Sequence, residues 1–338
     1  MSMAWLCKRL LGMSLSLLGI TLLTFLVLDL APVDRATIEV MRASADGTFV
    51  DAPAREAAIV RLRAHYGVID AETLEPKPLP VRYAAWLANA ACLEFGGPVG
   101  GQTLWSRFFA ALPVSLLLGS LALGVALAVG IPLGLRAGFD LGGRCERWLR
   151  GGLLAAAGVP EYLVGTLLVL AFAGWQWNLL PSHGLSTPGS EAWSVLARLL
   201  DVARHLLLPT VVLAIGPAAL VMRFVRDAAV AASRQPFAEH LVALGLEPEV
   251  IRRRLRRHAL VPLATLAAGM LPSLVCGSVV VESLFSLNGV GALAFNAVRD
   301  QDQPMVMLVT VIVSIAVLVA LLISDVLHRI VDPRVRLA

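Results

Sequence analysis

Residues Val306–Leu327 read VMLVTVIVSIAVLVALLISDVL, an apolar run whose single formal charge, Asp325, lies near its end. A helix crosses the roughly 30 Å hydrocarbon core of a bilayer with about 20 such residues. Working outward with the same window yields five more runs: Leu10–Leu30, Ala110–Leu135, Leu153–Ala173, Leu206–Met222 and Ala259–Leu284. The sequence therefore predicts an all-α integral membrane protein with six transmembrane helices. The fourth run is the shortest and contains Gly216-Pro217, which predicts a kink or a start nearer Arg204. The fifth holds Pro262, Pro272 and Glu282, which a helix inside a bundle tolerates better than one facing lipid.

Composition agrees. Of 338 residues, 58% are in the hydrophobic set and only 15% are charged, with a mean hydropathy of +0.78. Soluble domains carry about 45–50% apolar and about 25% charged residues, so a pair of soluble domains is excluded. Cys7, Cys92, Cys145 and Cys276 lie far apart, with neither CxxC nor zinc-ligand spacing. Lys8 and Arg9 precede the first run as in a secretory signal. That run is too long for a signal's apolar region, and Leu28-Asp29-Leu30-Ala31-Pro32 is a poor cleavage site, so it reads as an uncleaved anchor.

Orientation follows from the short loops, where positive charge stays cytoplasmic. Lys8 and Arg9 precede span one, and Arg136, Arg144, Arg147 and Arg150 separate spans two and three. Eight arginines from Arg223 to Arg257 separate spans four and five, and Arg329, Arg334 and Arg336 follow span six. The alternate short loops hold only Arg198, Arg204 and Arg299. Both termini are predicted to be cytoplasmic. Trp175 and Trp177, closing span three on the outer side, fit an interfacial aromatic belt.

Two segments lie outside the spans. The outer one, 31–109, has a polar stretch (Arg42–Gly47), a helix-like run (Ala54–His65), a proline break (Pro76, Pro78, Pro80) and an amphipathic run (Val81–Leu87). It then passes through Gly96-Gly97-Pro98 and Gly100-Gly101 to Trp105. This reads as a small cap, either a lid on its own bundle or a docking surface for an outer partner. The inner segment, 223–258, says more. Phe237–Leu244 fits one short helix, with Phe237, Leu241 and Leu244 at i, i+4 and i+7. Gly245 ends it, because glycine takes the left-handed C′ position without strain. Glu247-Pro248-Glu249 starts a second helix, with proline in the first turn and carboxylates at its positive end. That helix runs through Ile251–His258 into span five. A helix–glycine–helix elbow joined to a span can convert a push from a cytoplasmic partner into tilt. The arginines also fit the inside-positive anchor of span five. Abutting a membrane span and lacking interleaved aromatics, they give no support for a nucleic-acid partner.

The elbow resembles the cytoplasmic coupling loop of permease subunits in binding-protein-dependent ABC importers, whose signature is Glu-Ala-Ala, three residues, then Gly. Here Glu239 and Gly245 fit, while His240 and Leu241 replace the alanines. Further segments are similar to the first permease subunit of the dipeptide/oligopeptide (and nickel) group. They are Arg256–Pro262, Val280-Val281-Glu282-Ser283-Leu284-Phe285-Ser286 with Gly289-Val290-Gly291, Asp302-Gln303-Pro304, Leu180–Gly184 and the tail Asp332–Leu337. Asn288 stands in place of a proline, Gln303 in place of an aromatic, and Val33 in Leu30–Asp34 in place of a glycine.

The resemblance implies the type I ABC importer permease fold with a large outer loop after span one. It divides the chain into an anchor helix (1–31), an extracytoplasmic cap (32–104), a transmembrane domain (105–327) with coupling loop 223–258, and a cytoplasmic tail (328–338). It implies a bacterial inner-membrane location, a second permease, two cytoplasmic ATPase subunits, an outer solute-binding protein and surrounding lipid as partners. ATP and Mg are expected on the ATPases, with no cofactor on this chain. Phe237, Glu239, His240, Leu241, Leu244 and Gly245 are then coupling residues, Glu239 as a polar contact or cap, Gly245 as the turn, and Leu241 and Leu244 as groove fillers.

Within the spans, Glu282 and Glu161 are costly carboxylates and functional suspects. Each either lines the pathway or bonds to backbone freed by nearby prolines and glycines. The structural role is favoured because span ends reach the interface by snorkelling. An embedded enzyme lacks its marks here: no HExxH, no GxSxG and no paired mid-membrane aspartates. The six histidines show no metal spacing. The nearer rival is a secondary transporter driven by an ion gradient, though no internal repeat of the kind such proteins show is evident. The chain has no Walker A pattern, so it supplies no ATP hydrolysis itself.

Overall fold

The computed structural model describes residues 3–30, 34–45, 51–70, 72–96, 102–140, 143, 146–147, 151–152, 158–174 and 179–331. Outside them lie Trp175, Trp177, Arg144, Arg150, Cys145, the start of the third predicted span (153–157), Gly97, Pro98, Gly100, Gly101 and the tail from Asp332. Among the described residues the regular structure is helical, apart from a single β-bridge between Ile69 and Pro76. Four helices are long and apolar enough to cross a membrane. The chain divides into two compact units, Met1–Phe109 with Leu293–Ile315, and Ala110–Ala292 with Ala316–Ala338.

The first unit contains α1 (Met3–Asp29), α2 (Arg35–Ala45), α3 (Ala52–His65) and α4 (Leu79–Ala91). α1 is apolar around most of its circumference and fully buries only Thr21, its other side chains being exposed or half-buried, as expected of a helix surrounded by lipid. Polar contacts tie α4 alongside it: the Tyr83 hydroxyl meets Thr21 at 2.9 Å, and Arg82 pairs with Asp29 at 2.5 Å. Phe25, Tyr83, Trp86, Phe95, Trp105 and Phe109 form a continuous chain of ring contacts, with centroids 5.5–6.4 Å apart. α2 is a helix where the sequence suggested only a polar stretch at Arg42–Gly47. Asp34 precedes it, accepting from the Thr37 amide and pairing with Arg63. Burial pushes the Asp34 carboxyl up, but the Arg63 and Thr37 hydrogen bonds outweigh it and hold the group below its ordinary value. Burial, with a hydrogen bond to Glu39, pushes the Tyr66 phenol up to about 12. A cavity of about 730 Å³ lies among these helices, and the Asp29–Arg82 and Asp34–Arg63 pairs on its wall neutralise each other.

α5 (Leu104–Phe139) and α13 (Gln303–Val331) are two further long apolar helices, each with one end in this unit. In the first unit Asp302 caps α13, accepting from the Met305 amide at 3.3 Å, and pairs with Arg107 at 2.8 Å.

The second unit is built on α5 and α7 (Val195–Ser233). The fourth span is therefore not the shortest but part of a 39-residue helix that continues through both Pro209 and Pro217. Arg198, Asp201, Arg204 and His205 lower the hydropathy of its first turns, yet Asp201 and His205 are buried and bonded. Asp201 accepts from the Thr187 amide and hydroxyl, each at 2.7 Å, and His205 lies 2.9 Å from the Asp201 carbonyl. Gly130, Gly134 and Gly138 form a seam on α5. A Cβ there would meet Val221 at 2.8 Å, the Met222 carbonyl at 2.6 Å and Ala229 at 2.6 Å, respectively. Small residues let two backbones approach where lipid gives no hydrophobic drive, so this seam fixes α5 against α7. α6 (Glu161–Leu168) continues as a π-turn over Val169–Ala173.

Candidate functional site

The elbow forms as its local signals require. After α7, the extended Gln235 leads into Pro236, the first residue of α8 (Pro236–Ala243). Gly245 follows at φ +66°, its amide donating to the Val242 carbonyl at 3.0 Å. Glu247 precedes Pro248, the first residue of α9 (Pro248–Leu260). The expected passage into span five is interrupted at Val261-Pro262, where proline has no amide proton to continue the helix, and α10 (Leu263–Cys276) begins there.

The elbow packs on its own unit through Ala229, Ala232, Ala238, Leu255 and Ala259, with Phe237 and Ile251 against them. Phe237 lies edge-on to His258, with ring centroids 5.0 Å apart. Leu241 is buried at 5% exposure, so it faces the core of its own unit. Leu244 falls beyond the end of α8, and the turn carries it out to 58% exposure beside Val242 at 65%. The i, i+4, i+7 face thus splits: Phe237 and Leu241 point in and Leu244 points out. Glu239 and His240 are exposed on α8. Val242, which the sequence reading did not single out, joins Leu244 as the apolar surface of the elbow. On α9, Glu249 pairs with Arg256 at 2.5 Å and lies 4.0 Å from Arg252.

The fifth predicted span, Ala259–Leu284, is not one helix. α10 ends at Gly277, with φ +64° and ψ 174°, and α11 (Val279–Leu284) follows. The cause is the surroundings of Glu282, whose side chain is wholly buried. Its Oε1 accepts from the Ser115 hydroxyl of α5 at 2.7 Å and from the Ser278 amide at 3.2 Å. Its Oε2 accepts from the Ala292 amide at 2.8 Å, in the first turn of α12 (Val290–Arg299). Ser115 in turn accepts from the Val290 amide at 2.8 Å. Backbone amides at a helix start suit a negative group. Gly277, Gly289 and Gly291 crowd the carboxylate, and a Cβ on them would lie 2.6, 2.5 and 3.0 Å from Glu282 oxygens. Glu161, by contrast, is an exposed carboxylate in the first turn of α6, where it favours the helix dipole. Ser115 escaped sequence reasoning, and the Gly289-x-Gly291 spacing after a lone buried carboxylate was its only signal.

Residues 130–337 match the family described as "Binding-protein-dependent transport system inner membrane component". The chain belongs to that family. It is 29% identical over 338 residues to the oligopeptide transport system permease protein AppB of Bacillus subtilis, covering 98% of this chain and 99% of that protein. It is 26% identical over 336 residues to the dipeptide transport system permease protein DppB of the same organism, covering 98% of each. It is 32% identical over 295 residues to the oligopeptide transport system permease protein OppB of Mycobacterium bovis, covering 82% of this chain and 87% of that one. This permease is therefore an inner-membrane transport component with several apolar helices, and membership favours the ABC permease over a secondary transporter.

Proposed function

We propose that this permease forms half of the translocation pathway of an ATP-driven importer for peptides or related small solutes. It works with a second permease, two cytoplasmic ATPase subunits that hold ATP and Mg, and an outer solute-binding protein, in a bacterial inner membrane. Six spans cross that membrane with both termini inside: α1, α5, the segment ending in α6 and its π-turn, α7, the α10–α11 segment, and α13. Residues 1–31 anchor the chain, 32–104 form an outer cap, 105–327 form the transmembrane domain and 328–338 a cytoplasmic tail. The elbow within 237–258 docks on an ATPase through Leu244 and Val242, with Glu239 and His240 at the rim and Gly245 setting the angle between α8 and α9. Phe237 and Leu241 hold that surface to the core.

The observation that carries this reading is the elbow itself: two helices joined at a left-handed glycine, rooted in a buried cluster and presenting exposed leucine and valine. Peptides are favoured as cargo by the relatives' names. The test is affinity purification of the tagged permease from its own membranes in mild detergent. A second permease and ATPase subunits at about one copy per permease are expected. Reproducible recovery of the chain alone, under conditions that keep a control ABC complex together, would contradict the reading.

A further inference from the structure

Among the described residues Glu282 is the most deeply buried carboxylate, at 0% exposure, and none of the described cations pairs with it. Neutral donors from three places in the chain hold it instead: a hydroxyl of α5, the amide at the start of α11 and an amide in the first turn of α12. We propose that Glu282 and Ser115 are positioning residues of the transport cycle. They clamp the Gly277 break to α5, so that movement entering through α9 and α10 is passed on at the break instead of being absorbed there. This inference rests on the permease reading above.

Three observations exclude a free hinge. The first is that α5 grips both sides of the break. Ser115 holds Glu282 after it, while Gly119, one helical turn along, admits the backbone of Leu274 before it, and a Cβ at Gly119 would sit 3.2 Å from the Leu274 Cα. The second is crowding. Gly277 has a φ and ψ that only glycine adopts readily, and a Cβ on it would also press on Glu282 at 2.6 Å and on the Gly291 amide at 2.9 Å. The third is chemical. Every group facing the two carboxylate oxygens is a donor, and a carboxylate accepts at both oxygens, whereas an amide accepts at only one. Ser115 uses both of its functions, accepting from Val290 and donating to Glu282. A pathway-lining carboxylate needs a face open to the passing solute, and Glu282 has none.

Glu282→Gln tests the clamp at nearly constant volume. In either orientation of the amide, its NH2 opposes a backbone N–H, that of Ala292 or that of Ser278. The complete complex, with its ATPases and binding protein, is reconstituted in vesicles, and ATP hydrolysis is measured beside uptake of a radiolabelled digest of short peptides. The expected result is an assembled complex that hydrolyses ATP within about twofold of the wild type, with uptake per ATP lowered about tenfold, the scale of one lost hydrogen bond. Ser115→Ala is expected to shift the same ratio in the same direction by less. Unchanged uptake per ATP in Glu282→Gln would overturn the clamp. So would a changed KM for the peptides at unchanged coupling, which marks a pathway residue. Parallel loss of assembly, hydrolysis and uptake in both variants would overturn it too, reducing the pair to a folding role. Absence of ATP-driven uptake by the wild-type complex would instead strike the permease reading itself.

Discussion

Two glycines bound the helical stretch Pro248–Cys276, and both adopt left-handed φ, +66° at Gly245 and +64° at Gly277. Their surroundings differ completely. A Cβ on Gly245 would meet nothing within 4 Å, whereas one on Gly277 would meet Glu282, Gly291 and Ser115 at 2.6, 2.9 and 3.1 Å. The same positive φ thus serves two purposes. At the exposed elbow, glycine is needed for the turn alone, and space is left for a partner. At the buried break it is needed for the turn and for the space, because a carboxylate fills that space. α9 and α10, with 13 and 14 residues, span about 40 Å of helix between these points. One end is open to a push and the other is clamped.

The comparison can be broken by substituting alanine, which separates strain from crowding. The largest effect is expected at Gly277→Ala, which adds about 1–3 kcal/mol of backbone strain to a comparable overpacking cost. A total near 3 kcal/mol or more would appear as a large drop in thermal stability in detergent. Gly289→Ala should cost about 2 kcal/mol by the same assay, since its Cβ would lie 2.5 Å from Glu282 but its φ is not left-handed. The smallest effect is expected at Gly245→Ala, about 1 kcal/mol of left-handed strain with no crowding. If Gly245→Ala cost as much as Gly277→Ala, the contrast between an open and a clamped joint would fall.

Much of the elbow was legible because its signals are local. Pro236, Gly245 and Pro248 punctuate two short helices within a dozen residues, and the predicted bounds of the first and the start of the second hold to about one residue, while the predicted run of the second into span five does not. Hydropathy served less well where polar groups are satisfied at a distance. Asp201 and His205 hid the first turns of α7, although Thr187 and the helix's own backbone satisfy them. The α10–α11 break was invisible for a related reason. A window average sees one apolar run from Ala259 to Leu284, while the break depends on Ser115, 167 positions earlier in the chain than its partner. The inward turn of Leu241 and the outward turn of Leu244 could not be told apart by spacing, because the helix ends between them at Ala243.

The claim at the centre is that the open joint docks an ATPase through the apolar pair it exposes. The most direct measurement is the composition of the complex purified on a tagged Val242→Asp, Leu244→Asp double variant, beside the wild type. Both side chains are exposed, so the fold should tolerate the change. The expected result is retention of the second permease with loss of the ATPase subunits. Recovery of ATPase subunits at the wild-type ratio would contradict the account.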